Sequence, residues 1–172
     1  MIRPTTPDDL KDILDIQRRA FNEEDEAELV ANLLDDKTAQ PVLSLIACDN
    51  EDTPIGHILF TKAYVDNLSA YLLAPLAVVP EVHYKGTGQR LMKEGLKILK
   101  SWGVDVVFVL GPPDYYPRAG FLNDAGAIGY PAPHTIPAKH ADAWMMQHLS
   151  DKRIKGTVRV ADAIAAEEYW KE

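Results

Sequence analysis

The stretch "PLAVVPEVHYKGTGQRLMKEGLKIL", residues 75–99, decides the fold of this chain. Its first apolar run is typical of a buried strand and breaks at Pro80. Gly86 and Gly88 follow, and apolar residues then recur at the spacing of one helix face. The stretch therefore predicts a strand, a glycine-rich turn and a helix over about residues 86–102.

The glycine-rich turn suits an anion. The start of a helix presents unpaired backbone N–H groups and the positive end of the helix dipole, and glycine lets a phosphate approach the backbone closely. Lys85 adds a positive charge beside the turn. A pyrophosphate cradle is therefore chemically sensible, although two glycines alone are explained more simply by a tight loop without a ligand.

Two known phosphate-binding motifs do not match this turn. The Walker loop needs a Gly-Lys-Ser/Thr ending, and this chain has Gly88-Gln89-Arg90 there. The dinucleotide fingerprint needs a third glycine, and Leu91 occupies that position. A nucleotide site of either kind is excluded.

Outside this stretch the chain alternates between strand and helix patterns. Helical spacing covers residues 10–21 and 25–34. The predicted strands are residues 1–3, 41–48, 54–65, 70–79 and 104–110, with three short ones at 126–132, 143–149 and 156–160. The order β-α-α-β-β-β-α-β-α-β predicts an α/β fold, a single-domain mixed sheet in which residues 70–110 form a parallel crossover.

Composition narrows the class of protein. The chain has 172 residues, 47% hydrophobic and 26% charged, which is typical of one soluble globular domain. A net charge of −8 argues against a general nucleic-acid binder, because phosphate neutralisation needs clustered cations. The same charge is compatible with a cationic substrate.

The sequence also predicts the compartment. No apolar run is long enough to span a membrane, and the N-terminus lacks the apolar core of a signal peptide. Because Cys48 is the single cysteine, no disulfide can form within one chain, which is typical of a cytoplasmic protein. Cys48 itself is interpreted as a small core residue. The sequence does not determine whether the protein forms a homodimer.

A second motif gives the opening stretch its meaning. Residues 75–99 and the motif "YYPRAGF", residues 115–121, together resemble the GNAT superfamily of N-acetyltransferases. The family couples a strand, a proline, a Gln/Arg-x-x-Gly-x-Gly/Ala loop and a helix with a later Tyr four residues before Gly-Phe. Tyr116, Gly120 and Phe121 match that later part. The element order matches the family over residues 1–130, which leaves a C-terminal extension of short strands in one domain of 1–172.

The resemblance implies a site for acetyl-CoA as cosubstrate. In the family, the strand before the loop splays from its parallel neighbour and the pantetheine arm lies in the gap, like an added strand. The positions that match the family's cofactor-binding residues are Leu76, Ala77, Val78, His83, Tyr84, Lys85, Gly86, Thr87, Gly88 and Gln89.

Two positions in the loop depart from the family pattern. His83 stands where Gln or Arg is usual, so the affinity should depend more on Lys85 and Arg90. Tyr84 stands where Gly is common. The tyrosine either crowds the loop or packs over the adenine or ribose.

The resemblance also implies a mechanism, direct transfer of the acetyl group to an amine. Tyr116 matches the family's general acid, which protonates the departing thiolate. Backbone N–H groups of Leu76 to Val78 are expected to face the charge that develops on the thioester oxygen. The alternative for Tyr116 is a tyrosine that only packs against the Gly-Phe turn.

The general base has no clear match. Many members carry a Glu on the strand before the tyrosine loop, where this chain offers only Asp105. Glu23, Glu24 and Asp66 are other candidates, as is a chain of water molecules. His57 lies on a predicted strand and is explained more simply as a hydrogen-bonded, half-buried histidine.

The remaining polar features have weaker interpretations. The acidic run of residues 22–28 is either a solvated helix start or an amine-attracting mouth. Asp114 and Tyr115 flank the expected acid and are candidates to shape the acceptor pocket. His134, His140 and His148 lack ligand-like spacing, so no metal site is predicted.

Two functions from different classes follow. The first is an acetyl-CoA-dependent N-acetyltransferase that acts on a primary amine of a small molecule or protein. The second is a non-catalytic module of the same fold that binds acetyl-CoA or CoA as a sensor or interaction partner. Tyr116 favours the first, and the missing Glu keeps the second open.

Overall fold

A computed structural model of the chain describes residues 1–171. Its strands are β1 Ile2–Pro4, β2 Leu43–Cys48, β3 Pro54–Val65, β4 Leu68–Val78, β5 Val106–Leu110, β6 Trp144–His148 and β7 Arg159–Val160. Its α-helices are α1 Leu10–Phe21, α2 Asp25–Leu34, α3 Thr87–Ser101 and the short α4 Ala125–Ile128. The predicted element order is confirmed.

Within residues 1–171, seven strands form a single mixed sheet in the order β1-β2-β3-β4-β5-β6, with β7 paired to β3. β4 and β5 run parallel, and α3 connects them. The other neighbouring strands are antiparallel. This confirms both the mixed sheet and the parallel crossover that the glycine-rich stretch predicts.

The sheet separates two apolar layers. Successive strand residues point to opposite faces, so Leu59 of β3 packs with Ile13 and Val30 on the α1–α2 side, and Phe60 packs with Leu91 on the α3 side. Burying one such side chain contributes about 1.5–3 kcal/mol. Both helix layers are therefore held against the same sheet.

The C-terminal third departs in one place from the predicted strands. Residues 126–132 are not a strand, because Asp124 caps the short helix α4 by accepting a hydrogen bond from the Ala127 N–H at 3.2 Å. Gly129, with a φ of +125°, ends that helix. The strand prediction at 143–149 is confirmed by β6, and the one at 156–160 is confirmed in shortened form by β7.

Residues 161–170, here called the C-terminal segment, fold back against α2. The Ala163 N–H donates to the Asp36 carboxylate at 2.9 Å, and the Asp162 N–H donates to the Thr38 hydroxyl at 2.8 Å. Further along, the Trp170 indole donates to the Ile164 carbonyl at 2.9 Å. These bonds hold the first part of the segment against residues 36–38, just after α2 ends, and Tyr169 lies near Asp25 and Glu28 in the first turn of the same helix.

Candidate active site

A gap opens in the sheet between β4 and β5. The two strands pair only where residues 70–73 of β4 meet residues 106–109 of β5. Residues 74–78 of β4 continue beside β3 alone. A cavity of about 810 Å³ lies at this gap and extends to the start of α3, to α2, to the C-terminal segment and to residues 111–121, here called the tyrosine loop.

The free edge of β4 points its backbone into this cavity. The Val79 N–H donates to the Ile55 carbonyl at 3.0 Å, which makes these two opposite residues a hydrogen-bonded pair. Backbone direction alternates along an antiparallel strand, so the N–H groups of Leu76 and Val78 face away from β3. Ala77 has the opposite direction and is buried.

The contact of His83 supports this assignment. Its Nε2 lies 2.8 Å from the Val78 carbonyl oxygen, so that oxygen faces away from β3. His83, which lies just before the glycine-rich turn, therefore contacts the edge of β4 through its ring.

The glycine-rich turn leads into the start of α3, where the first backbone N–H groups have no partner within the helix. Gly86 has a φ of +83°, a left-handed conformation that favours glycine, and α3 begins at the next residue. The Arg90 N–H donates to the Gly86 carbonyl at 3.0 Å. The preceding N–H groups, those of Thr87, Gly88 and Gln89, have no carbonyl within the helix to bind, as at the start of any α-helix. They form the cradle that an anion needs.

Gly88 is explained by a close approach from the tyrosine loop. A Cβ atom at this position would collide with the Tyr115 hydroxyl. The Gln89 side chain also donates to the Tyr115 carbonyl at 3.3 Å. The start of α3 and the tyrosine loop are thus in direct contact.

The loop's other side chains differ in position, and that of Tyr84 lines the cavity. Tyr84 has a φ of +66° and an exposed fraction of 105%, so it does not crowd the turn. Arg90 donates to the Lys85 carbonyl at 3.1 Å and to the Thr87 hydroxyl at 3.2 Å. Lys85 itself is exposed and does not line the cavity.

Tyr116 lines the same cavity and is 8% exposed. Its ring packs edge-on against Tyr115 and Phe121 and lies so close to Gly111 that any Cβ there would collide with it. Burial raises the pKa of the Tyr116 phenol well above its usual value. The hydroxyl therefore stays protonated at neutral pH, as an acid requires.

None of the base candidates that the sequence suggested lines the cavity within residues 1–171: Glu23, Glu24, His57, Asp66 and Asp105. The Glu24 carboxylate accepts from Arg18 at 2.7 Å. The Asp105 carboxylate accepts from the Ser69 N–H at 2.8 Å and the Ser150 hydroxyl at 2.7 Å. Asp114 is exposed and also lies off the cavity.

His57 is a fully buried structural residue. Gln17 donates its amide N–H to Nδ1 at 3.0 Å, so the ring proton sits on Nε2, which lies 2.8 Å from the Ser44 hydroxyl. Burial lowers the pKa of His57 to about 3. The neutral ring links α1 to β2 and β3.

Sequence reasoning placed Glu26 only within the acidic run of residues 22–28 and did not single it out as a base, but this residue lines the cavity. Its Oε1 is buried and has no hydrogen-bond partner in the described chain. Burial raises the pKa of the Glu26 carboxyl, and neighbouring Glu23 raises it further. A sequence signal existed: Glu26 precedes Leu29, Val30 and Leu33 at helical spacing, and this places it on the inward face of α2.

Comparison with known proteins identifies the family. The sequence profile described as "Acetyltransferase (GNAT) family" matches residues 10–121. The Escherichia coli K12 protein YjhQ, described as an uncharacterized N-acetyltransferase, is 46% identical over 164 residues, which cover 92% of this chain and 90% of YjhQ.

The chain belongs to the GNAT family of acetyltransferases.

Two solved structures resemble this GNAT chain over nearly its whole length. The E. coli protein YhbS, crystallised in complex with CoA, superimposes on this chain with a TM-score of 0.86 at 29% identity. The alignment covers 96% of this chain and 92% of the YhbS chain. A GNAT acetyltransferase from Brucella melitensis, in complex with acetyl-CoA, has a TM-score of 0.75 at 26% identity, covering 95% and 97%. The family prediction and the expected enzyme class, an acyltransferase, are confirmed.

The residues of the GNAT chain fall into two groups around the cavity. We name each group after the part of the reaction for which its residues are candidates. The cofactor half comprises residues 74–89 with the tyrosine loop. The acceptor half comprises the end of α1, the start of α2 and the C-terminal segment.

In the described part of the chain, no helix combines the length and apolar composition that crossing a membrane requires.

Proposed function

We propose that this chain is an N-acetyltransferase that moves the acetyl group of acetyl-CoA directly to a primary amine. The observation that carries the proposal is the cavity itself, which joins the β4–β5 gap, the open start of α3 and the Tyr116 phenol. Each of these three features suits a different part of acetyl-CoA.

The cofactor half fits this cosubstrate along its length. The N–H groups at the start of α3 suit the pyrophosphate, and the unpaired edge of β4 suits the amides of pantetheine. The N–H groups of Leu76 and Val78 face away from β3 and would donate to the thioester oxygen as it develops negative charge. The CoA and acetyl-CoA complexes of the two similar proteins support this assignment.

The transfer breaks one bond for each bond that it makes. The lone pair of the free amine attacks the thioester carbon, and the C–S bond then breaks with its electrons moving to sulfur. Tyr116 donates its hydroxyl proton toward that sulfur and recovers a proton released by the acylated nitrogen. The products are an amide and free CoA thiol.

The test measures release of free thiol from acetyl-CoA in the presence of a primary-amine library. Tyr116→Phe should lower kcat by 10²-fold or more, on the order expected for loss of a general acid, without reducing stabilisation by acetyl-CoA. Tyr130→Phe is the matched control, since Tyr130 is a buried tyrosine whose hydroxyl lies off the cavity. That variant should keep the wild-type rate.

Thermal melting separates the two ways in which the proposal can fail. Acetyl-CoA at a hundredfold its Kd should add about 2.7 kcal/mol, or roughly 5–10 °C of Tm for a chain of this size. Stabilisation without thiol release from any amine would favour the non-catalytic CoA-binding module. Absence of any stabilisation would contradict the cofactor half itself.

A further inference from the structure

We infer that the acceptor is a small primary amine that carries one positive charge on an aromatic or alkyl body. Its ammonium group would bind Glu26, and its body would lie between α2 and the C-terminal segment. The inference rests on the proposed function and specifies the second substrate of the same site.

The charge requirement comes from Glu26. Among the described residues that line the cavity, it is the sole carboxylate. Its Oε1 is buried without a partner, an arrangement that costs free energy until a donor arrives. An ammonium group supplies both the donor and the opposite charge. One carboxylate satisfies one ammonium, so the site suits a single charge.

The apolar requirement comes from the walls around Glu26. They consist of Phe21 and Leu29 on the helix side and Ile164, Tyr169 and Trp170 on the C-terminal side. A polyamine or an aminoglycoside would place further ammonium and hydroxyl groups against these walls without partners. Each such group would lose its hydrogen bonds to water without a replacement, which weakens binding. A hydrocarbon or aromatic body would instead gain from burial.

The C-terminal wall is held firmly enough to select a shape. Trp170 is 2% exposed, packs edge-on against Trp144 and donates to the Ile164 carbonyl. Tyr169 is 38% exposed and lies near Asp25 and Glu28 of α2. The acceptor therefore has to fit between a fixed indole on one side and the start of α2 on the other, which favours a small molecule.

Glu26 also has the means to free the amine for attack. An alkyl ammonium has a pKa of about 10.4 and must lose a proton first. In this step the N–H bond breaks, its electrons stay on nitrogen, and the proton passes to a Glu26 oxygen. Burial and the nearby charges of Glu23 and Asp25 raise the pKa of the Glu26 carboxyl, which makes it a better proton acceptor.

The experiment compares acceptors by thiol release from acetyl-CoA. The panel contains 2-phenylethylamine, hexylamine, spermidine, kanamycin and a short peptide with an N-terminal Phe. The two monoamines should exceed spermidine and kanamycin by about 100-fold in kcat/KM, as expected when several polar groups are left unpaired. Comparable or better turnover of spermidine or kanamycin would overturn the acceptor class, and preference for the peptide would overturn the small-molecule assignment.

Glu26→Gln tests the anchor directly. It should raise KM for 2-phenylethylamine, lower kcat by about 100-fold and remove the acid limb of the pH profile, while leaving stabilisation by acetyl-CoA unchanged. Glu28→Gln is the control, because Glu28 lies on the same helix but is exposed and off the cavity. Equal effects of the two variants would overturn the role of Glu26.

One outcome separates this inference from the proposed function. If 2-phenylethylamine raises the Tm of the wild type but not of Glu26→Gln, and no amine releases thiol, the amine site stands and the transferase proposal fails. If thiol is released with amines but 2-phenylethylamine neither stabilises the protein nor turns over, the transferase stands and the inferred acceptor class fails.

Discussion

The cofactor half and the acceptor half of the cavity are built from different kinds of groups. The cofactor half offers mainly backbone N–H groups, those at the edge of β4 and the start of α3. The acceptor half offers side chains, one carboxylate and a set of apolar walls. Backbone groups are the same whatever the residue, whereas side chains differ at every position. We therefore expect the first half to bind the constant cosubstrate and the second half to set the choice of acceptor.

The halves also differ in how the chain assembles them. Most of the cofactor half lies within residues 74–89, one continuous stretch. The acceptor half joins α1 and α2 to residues 161–170, and hydrogen bonds such as that from the Ala163 N–H to Asp36 hold it together. His57 lies between them, because its ring binds Gln17 of α1 while its strand pairs with β4 on the side opposite the free edge.

The variant with the largest expected effect, Gly88→Glu, disrupts the cofactor half alone. Gly88→Glu would push a Cβ into the Tyr115 hydroxyl and place a negative charge at the cradle. We expect the affinity for acetyl-CoA to fall by about 100-fold or more, which corresponds to about 2.7 kcal/mol. Isothermal titration measures this loss.

The matched control for that variant is Gly126→Glu, which adds the same side chain at an exposed position of α4. It should bind acetyl-CoA like the wild type. An unchanged affinity in Gly88→Glu would show that the start of α3 does not hold the pyrophosphate.

The next effect tests the connection between the halves and concerns stability. The pKa of His57 is about 3 in the folded state and about 6.5 when unfolded, so the unfolded chain binds more protons below pH 6.5. Stability should therefore fall as the pH decreases from 6.5 toward 3. Between pH 6.5 and 5 this residue alone should cost about 2 kcal/mol of unfolding free energy.

Urea unfolding of His57→Gln at both pH values measures that dependence. The variant should lose less stability than the wild type over this interval, even if it is less stable throughout. His140→Gln, outside the buried hydrogen-bond chain, should keep the wild-type dependence. An equal loss in His57→Gln would mean that another group causes it.

The smallest effect loosens only the acceptor half. Asp36→Ala removes the carboxylate that accepts from the Ala163 and Thr38 N–H groups and so frees the C-terminal segment. We expect KM for the amine to rise about tenfold, the loss of roughly one charge-assisted hydrogen bond, with acetyl-CoA affinity unchanged. Steady-state kinetics with each substrate varied in turn measures this difference.

The neighbouring variant Asp35→Ala is the control, since Asp35 is exposed and does not contact the C-terminal segment through a described hydrogen bond. It should leave both constants unchanged. If Asp36→Ala weakens acetyl-CoA instead of the amine, the division of the cavity into two halves is wrong.

Much of the cofactor half was predictable because its signals are local. The glycine turn, the helix after it and the spacing from Tyr116 to Gly120 all lie within short stretches of chain. The family and the fold class that these motifs predicted are confirmed. The individual cofactor and catalytic residues stay predictions that the experiments above address.

The acidic run of residues 22–28 shows where composition alone fails. Glu23, Glu24 and Glu26 lie in one acidic run, and composition does not distinguish them. Burial distinguishes them, since only Glu26 of these three lines the cavity. The strand wrongly predicted at 126–132 has a similar cause, because the cap at Asp124 stabilises a short helix there.

The sequence by itself determined the order of elements along the chain, the glycine-rich helix start and the family, because hydrophobic periodicity and contiguous motifs specify them. Only the tertiary structure revealed the cavity that Glu26 faces and the wall that residues 161–170 contribute to it. The physical reason is that burial and long-range hydrogen bonds depend on segments more than a hundred residues apart, as Asp36 and Ala163 are.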